Sequence, residues 1–174
     1  LDLLTADWTY VNDRLAAHYG IPNIYGSHFR KVNQVDDERR GLLGQGSILT
    51  VTSYPNRTSP VLRGKWVMEN IIGSPAPSPP PNVPDLQENQ GSDIMSVRER
   101  LEQHRQDPVC SSCHNLLDPL GFALEKFDAI GRFRTKEEGG MVNAGGQLGD
   151  GTQIDGINDL RSALLAKPEN FVDN

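Results

Sequence analysis

Two cysteines and a histidine, Cys110, Cys113 and His114, form the run C-S-S-C-H, which constrains this chain more than any other feature. The chain has 174 residues and no further cysteine. Two thiols at this spacing can each add to a vinyl group on one edge of a porphyrin, and the histidine that follows can bind the iron. The motif therefore predicts one covalent c-type haem, held by Cys110 and Cys113, with His114 as the proximal ligand.

The C-x-x-C spacing also occurs in zinc sites, in redox-active dithiols and in chance matches. A structural zinc site needs four ligands, usually as two pairs, and the chain has no second cysteine pair. A thioredoxin-like dithiol is expected in a βαβ unit, which the flanking runs Asp107-Pro108 and Asp118-Pro119 do not resemble. A disulfide within the motif would close a very short loop. These alternatives remain open beside the haem interpretation.

The composition indicates a loop-rich chain with a small apolar core. Hydrophobic residues make up 36% of the chain, which also holds 17 glycines and 12 prolines, so much of the backbone is expected in loops. A porphyrin, itself a large apolar disc, would supply part of the missing core. The net charge of −6 argues against nucleic acid or an anionic membrane as the main partner. No apolar run reaches the roughly 18 residues of a transmembrane helix.

A proline-rich stretch at residues 74–91 is expected to form an extended strap that divides the chain. Residues 1–73 would precede it and residues 92–174 would form the haem domain. Ser59 and Pro60 are predicted to begin a helix, as N-cap and first residue, and Asp118 is predicted to cap another. The predicted helices cover residues 5–19, 60–72, 92–105, 119–127 and 157–165, with a hairpin at 147–154 and either a strand at 47–52 or a helix from about 39.

The residues around the motif resemble a known family. The run 110–134, with D-P-L-G-F at 118–122, resembles the cytochrome c-like module of large multi-domain proteins that are abundant in Planctomycetes and related bacteria. The runs R-G-L-L-G at 40–44 and R-T-S-P-V at 57–61 are similar to the lead-in to that module. Residues 4–21 are similar to the end of a preceding domain, so the resemblance covers nearly the whole chain.

The resemblance implies a secreted or periplasmic c-type cytochrome with a fold that is mainly α. We expect long irregular loops and a small β-hairpin, with a cytochrome c-like haem domain after a preceding helical segment. Covalent haem attachment normally takes place outside the cytoplasmic membrane, so a periplasmic or extracellular location is expected. Because the chain begins without Met and without a leader, we expect it to be a piece of a longer protein.

A second axial ligand would decide whether the iron site is closed or open to small molecules. His104 stands ten residues before the motif histidine and is one candidate, the alternative being a charge at a helix C-terminus. Met141, in a glycine-rich run, and Met68, which fits a helix core equally well, are others. His18 and His28 are weaker candidates. An open position or a ligand from another chain completes the alternatives.

Haem propionates are anionic and favour arginine partners. Arg132 and Arg134 follow the motif helix, and Arg57 stands before the earlier helix; Arg63 is a further candidate. Each of these side chains fits an ordinary surface arginine equally well.

The function predicted from these residues is one-electron transfer outside the cytoplasm. Its partners would be redox proteins or other haem subunits, including copies of this chain in a homo-oligomer or filament. The first alternative is a haem enzyme component, peroxidase-like or oxidase-like, with an open distal site. The second is a structural or assembly module whose fold is stabilised by its covalent haem. No catalytic triad, phosphate loop or carboxylate pair is present in the sequence, so no catalytic residue is predicted.

Overall fold

The fold is given by a computed structural model that describes residues 2–76, 95–106, 108–137 and 140–168. The described part is mainly helical, with short antiparallel hairpins, as the sequence predicts. Its α-helices are α1 Asp2–Thr5, α2 Asp13–Tyr19, α3 Gly46–Val51, α4 Pro60–Val67, α5 Val97–His104, α6 Pro108–Phe122 and α7 Ile157–Leu165. Its strands are β1 Trp8–Val11 and β2 Arg30–Asn33, β3 Lys136–Glu137 and β4 Gly140–Met141, and β5 Gly145–Gln147 and β6 Gln153–Asp155, each pair antiparallel.

Helices α4 and α6 pack antiparallel at very close range in the middle of the molecule. A Cβ atom built on Gly121 would overlap the carbonyl of Pro60, and one on Gly64 would overlap the carbonyl of Leu117. Only glycine allows backbones to approach so closely. Helix α4 begins as predicted, since the Ser59 side chain accepts from the amide of Leu62 and Pro60 is the first helical residue. A π-helix, Met68–Ile72, continues α4.

One apolar core joins residues from both sides of the proline-rich stretch. Its fully buried members include Leu49 and Val67 before that stretch and Phe127 and Leu160 after it. Met68 belongs to this core as well. The predicted strap at 74–91 and the predicted helix start at 92 lie almost entirely outside the described residues, so the proposed domain boundaries stay a prediction. Within the described residues, no helix combines the length and hydropathy needed to cross a membrane.

A buried ion pair ties α4 to the chain that follows α6. Arg63 and Glu125 are 2.9 Å apart, and the Arg63 side chain is completely buried. The same guanidinium donates to the carbonyl oxygens of Leu124, Phe127 and Asp128 at 2.7–2.8 Å. Burial raises the pKa of Glu125 and lowers that of Arg63, against the attraction between the two groups. This cluster holds the segment after α6 in place.

The structure corrects three predictions of secondary structure, and the first is the helix at 5–19. Residues 8–11 form strand β1, because Thr9 and Val11 face inward while Trp8 and Tyr10 are exposed, the alternation of a half-buried strand. Residues 46–51 form helix α3, so the strand alternative at 47–52 is wrong.

The predicted bounds of the helix at 119–127 are also wrong at both ends. Helix α6 begins at Pro108, passes through Pro119 and ends at Phe122. Asp118 is therefore inside a helix and is not its N-cap. By contrast, α7 has the predicted bounds, and β5 and β6 form the predicted small hairpin around Asp150-Gly151.

Candidate haem-attachment site

The C-S-S-C-H motif occupies the first two turns of α6. Cys110, Cys113 and His114 are spaced three and four residues apart and therefore lie along one face of the helix. Both cysteines are free thiols of intermediate exposure, and Cys113 packs against the main core. The helix thus presents two thiols and one imidazole together, and their role in haem attachment stays a prediction.

The imidazole of His114 is held from inside α6 by a buried carboxylate. Its Nδ1 atom lies 2.9 Å from Oδ1 of Asp118, one helical turn onward. Asp118 is completely buried, whereas the His114 side chain keeps 15% exposure. The second carboxylate oxygen, Oδ2, lies 3.5 Å from Nε of Arg105. One ring nitrogen is therefore occupied, and Nε2 is the nitrogen left for a ligand.

The end of α5 brings a second histidine to the same place. The rings of His104 and His114 have centroids 5.4 Å apart and meet edge to face at 71°. Helix α5 starts with a capping box in which Ser96 and Glu99 bond each other's backbone amides. It stops at His104, just before α6 begins. The structure thus brings together the two histidines that the sequence singled out as axial ligands.

The other proposed axial ligands lie in different settings. Met141 is 67% exposed in the short strand β4. His18 is within hydrogen-bond distance of the Ile130 carbonyl, 2.8 Å from Nε2. His28 contacts the guanidinium of Arg30. Each of these roles stays a prediction.

Met68 instead lines an apolar cavity beside α6. The cavity has a volume of about 220 Å³. Leu116 and Leu120 of α6 line one side and Met68 and Ile71 of the π-helix line another, and the open rim includes the charged side chains of Asp150 and Lys167. Because Leu116 stands one turn after Cys113, this apolar space begins next to the motif. The cavity is a hydrophobic surface adjacent to the attachment residues.

The arginines predicted to bind propionates have varied partners. Arg134 donates from Nη2 to Glu125 at 3.1 Å and belongs to the buried ion cluster. Arg57 lies over the ring of Tyr54 at 4.3 Å, and Arg132 is exposed. Their role as propionate ligands stays a prediction.

Sequence reasoning missed Asp118 and Arg105 as parts of the site. The signal for Asp118 was its spacing of four residues from His114, which places both on one helix face. The adjacent Pro119 indicated a helix start and hid that signal. No local pattern marks Arg105, because its approach to Asp118 depends on how α5 packs against α6.

The residues present fit a covalent c-type haem. Two thiols that form no disulfide stand beside an imidazole whose Nδ1 is held by a carboxylate, the outer arrangement that metal-binding histidines usually have. In the described parts of the chain, no group of three or more His, Cys, Asp or Glu side chains is arranged to hold a metal ion by itself.

A comparison with protein-family models finds a match that covers the middle of the chain, including the motif. Residues 39–137 match PSCyt3, described as a protein of unknown function (DUF1588). The matched range includes α4, α5 and α6 with the motif, and the family name is that of a cytochrome-like family. No curated protein and no solved structure matches the chain. Because the match covers more than half of the chain, the chain belongs to the PSCyt3 family.

Proposed function

We propose that this chain is a c-type cytochrome unit that binds one covalent haem and transfers single electrons outside the cytoplasm. The observation that carries the proposal is the face of α6 on which Cys110, Cys113 and His114 stand together, with the His114 ring anchored at Nδ1. When bound, the haem supplies the one-electron chemistry. The chain's own residues attach it, orient the imidazole and shield one side from water.

Shielding comes from the apolar cavity beside the motif. Leu116, Leu120 and Met68 present only hydrocarbon and thioether surface there. Apolar surroundings of a haem lower the local dielectric and restrict access of water, and both effects tune the reduction potential. The cavity therefore supports a buried porphyrin edge on this side of α6.

The position of His104 favours an iron site with two protein ligands over one with an open position. The His104 and His114 rings are 5.4 Å apart, so His104 stands near the motif histidine and would be the second ligand of a bound haem. A site with two protein ligands favours electron transfer, whereas an open position favours peroxide or oxygen chemistry. Redox proteins or other haem subunits, including copies of this chain, are the partners that fit this function.

The attachment test is direct. When the chain is exported to the periplasm of a host with a haem-attachment system, we expect one haem to remain bound after denaturation, seen as a mass increase and a reduced c-type spectrum. C110A or C113A should leave a single thioether, and the double variant none, because each thiol forms one bond. S111A, which changes a residue between the cysteines whose hydroxyl donates to the carbonyl of Pro108, should load as the unsubstituted chain does. Matured chain that carries no covalent haem would refute the proposal.

Replacement of His104 tests the sixth ligand separately. H104A is expected to convert a low-spin haem spectrum to high-spin and to open the iron to carbon monoxide, because the distal imidazole is gone. H28A, which removes an exposed histidine next to Arg30, is the matched control and should leave the spectrum unchanged. A low-spin spectrum that persists in H104A would exclude His104 as the ligand. Carbon monoxide binding by the unsubstituted chain would instead favour the enzyme alternative.

A further inference from the structure

The two nitrogens of the His114 ring are chemically distinct in this fold. Nδ1 lies 2.9 Å from Oδ1 of Asp118. A carboxylate can only accept hydrogen bonds, so in the tautomer that makes this contact Nδ1 carries the hydrogen and donates it. Nε2 is then the unprotonated nitrogen, with its lone pair free. The pairing selects the tautomer that binds a metal through Nε2.

Asp118 itself is an unusual residue for its position. It lies in the interior of a helix and is completely buried, and a buried charge is costly unless it is paired. Among the described residues, His114 is hydrogen-bonded to Oδ1, whereas Nε of Arg105 lies 3.5 Å from Oδ2 without a hydrogen bond to that oxygen. It caps no helix in those residues, and His114 is the residue to which it is hydrogen-bonded. The contacts of this carboxylate are therefore directed to the motif histidine.

Arg105 places a positive charge beside this carboxylate. Its guanidinium carbon lies 5.9 Å from the centre of the Phe122 ring, and its Nη2 lies 3.8 Å from Oε1 of Glu102. Its Nε faces Oδ2 of Asp118, which leaves Oδ1 turned toward the histidine. Arg105, Asp118 and His114 thus form a short chain of polar contacts that runs from the C-terminal end of α5 into the motif.

We propose that Asp118 is the positioning residue of the haem ligand: it holds the His114 ring in the Nδ1–H tautomer, with the positive charge of Arg105 beside its carboxylate. The inference rests on the proposed haem function. A carboxylate that accepts from Nδ1 makes the imidazole a stronger electron donor. Stronger donation favours ferric over ferrous iron, so Asp118 lowers the reduction potential.

The first test needs no haem. In the folded apo-chain, ¹⁵N NMR of the histidine rings should show His114 as the Nδ1–H tautomer. In D118N the amide oxygen should turn to Arg105 and the NH₂ group to Nδ1, which gives the Nε2–H tautomer. His18 is the internal reference in both proteins, because its Nε2 faces a backbone carbonyl and must carry the hydrogen. His114 found as the Nε2–H tautomer in the unsubstituted chain would overturn the inference.

The second test uses the haem-loaded chain. D118N is expected to raise the ratio of reduced to oxidised haem at a fixed potential at least tenfold, equivalent to about 59 mV for one electron. R105M should shift that ratio at least about twofold in the opposite direction, since it removes a positive charge and leaves the carboxylate in place. An unchanged ratio in both variants would overturn the inference.

R105M also carries the test if D118N does not fold, and a shift toward reduced haem in R105M would count against the inference.

The proposed haem function and the proposed role of Asp118 fail in different ways. Absence of covalent haem from the unsubstituted chain would refute the haem function, whereas a loaded D118N with unchanged potential would refute only the role of Asp118.

Discussion

R63M is expected to lower the free energy of unfolding by about 3–5 kcal/mol, the usual cost of removing one partner of a buried ion pair. Methionine keeps much of the volume of Arg63 but leaves the Glu125 carboxylate without its nearest charge. It also removes the donors that satisfy the carbonyls of Leu124, Phe127 and Asp128. Urea unfolding of the purified chain, followed by circular dichroism, measures the change.

R14M is the matched control, because Arg14 is exposed on α2 and the same substitution there should change stability by less than about 0.5 kcal/mol. The double variant R63M/E125M should be more stable than the sum of the single losses predicts, by about 1–3 kcal/mol, because the two sites are in contact. Strictly additive losses would contradict a coupled pair. An R63M variant as stable as R14M would contradict the buried cluster altogether.

G121A is expected to destabilise the chain by about 3 kcal/mol or more, at the upper end for overpacking. The added methyl would overlap the carbonyl of Pro60 in α4, which is backbone and cannot rotate away. The two helices must then separate. Helix propensity alone would predict the opposite sign, a gain of about 1 kcal/mol for alanine over glycine. The sign of the change therefore decides whether the close helix contact exists.

Thermal unfolding and near-ultraviolet circular dichroism would measure this effect. G149A is the control, because a Cβ there meets only the side-chain Cδ2 of Leu116, at 3.3 Å. We expect it to cost less than about 1 kcal/mol, since that methyl group can move. G64A, whose Cβ would overlap the carbonyl of Leu117, should behave like G121A. Stabilisation in both helix variants would show that α4 and α6 do not touch.

Local sequence patterns were sufficient to predict those helices and hairpins whose formation depends mainly on their own residues. Ser59 and Pro60 begin α4 as their capping chemistry predicts, and α7 has the predicted bounds. The hairpin around Asp150-Gly151 also follows from local turn chemistry. The spacing of Cys110, Cys113 and His114 places them on one helix face wherever a helix forms.

Local patterns failed where packing outweighs propensity. Asp118-Pro119 has the local form of a helix start, yet α6 runs through it, because the face of α6 on either side is buried against α4 and the core. The periodicity of residues 8–11 fits a helix, but pairing with β2 makes them a strand. In both cases, contacts with a distant segment contributed more than the local preference.

The chemistry of the motif follows from the sequence, because Cys110, Cys113 and His114 are three neighbours whose types and spacing need no fold to be recognised. The surroundings of that motif follow only from the packed structure. Three contacts join different elements of the chain. They are the contacts of His104 with His114, of Arg105 with Asp118 and of Arg63 with Glu125. Such contacts depend on how α4 and α5 pack against α6. That packing is set by many small interactions distributed along the whole chain, and no short stretch of sequence contains them.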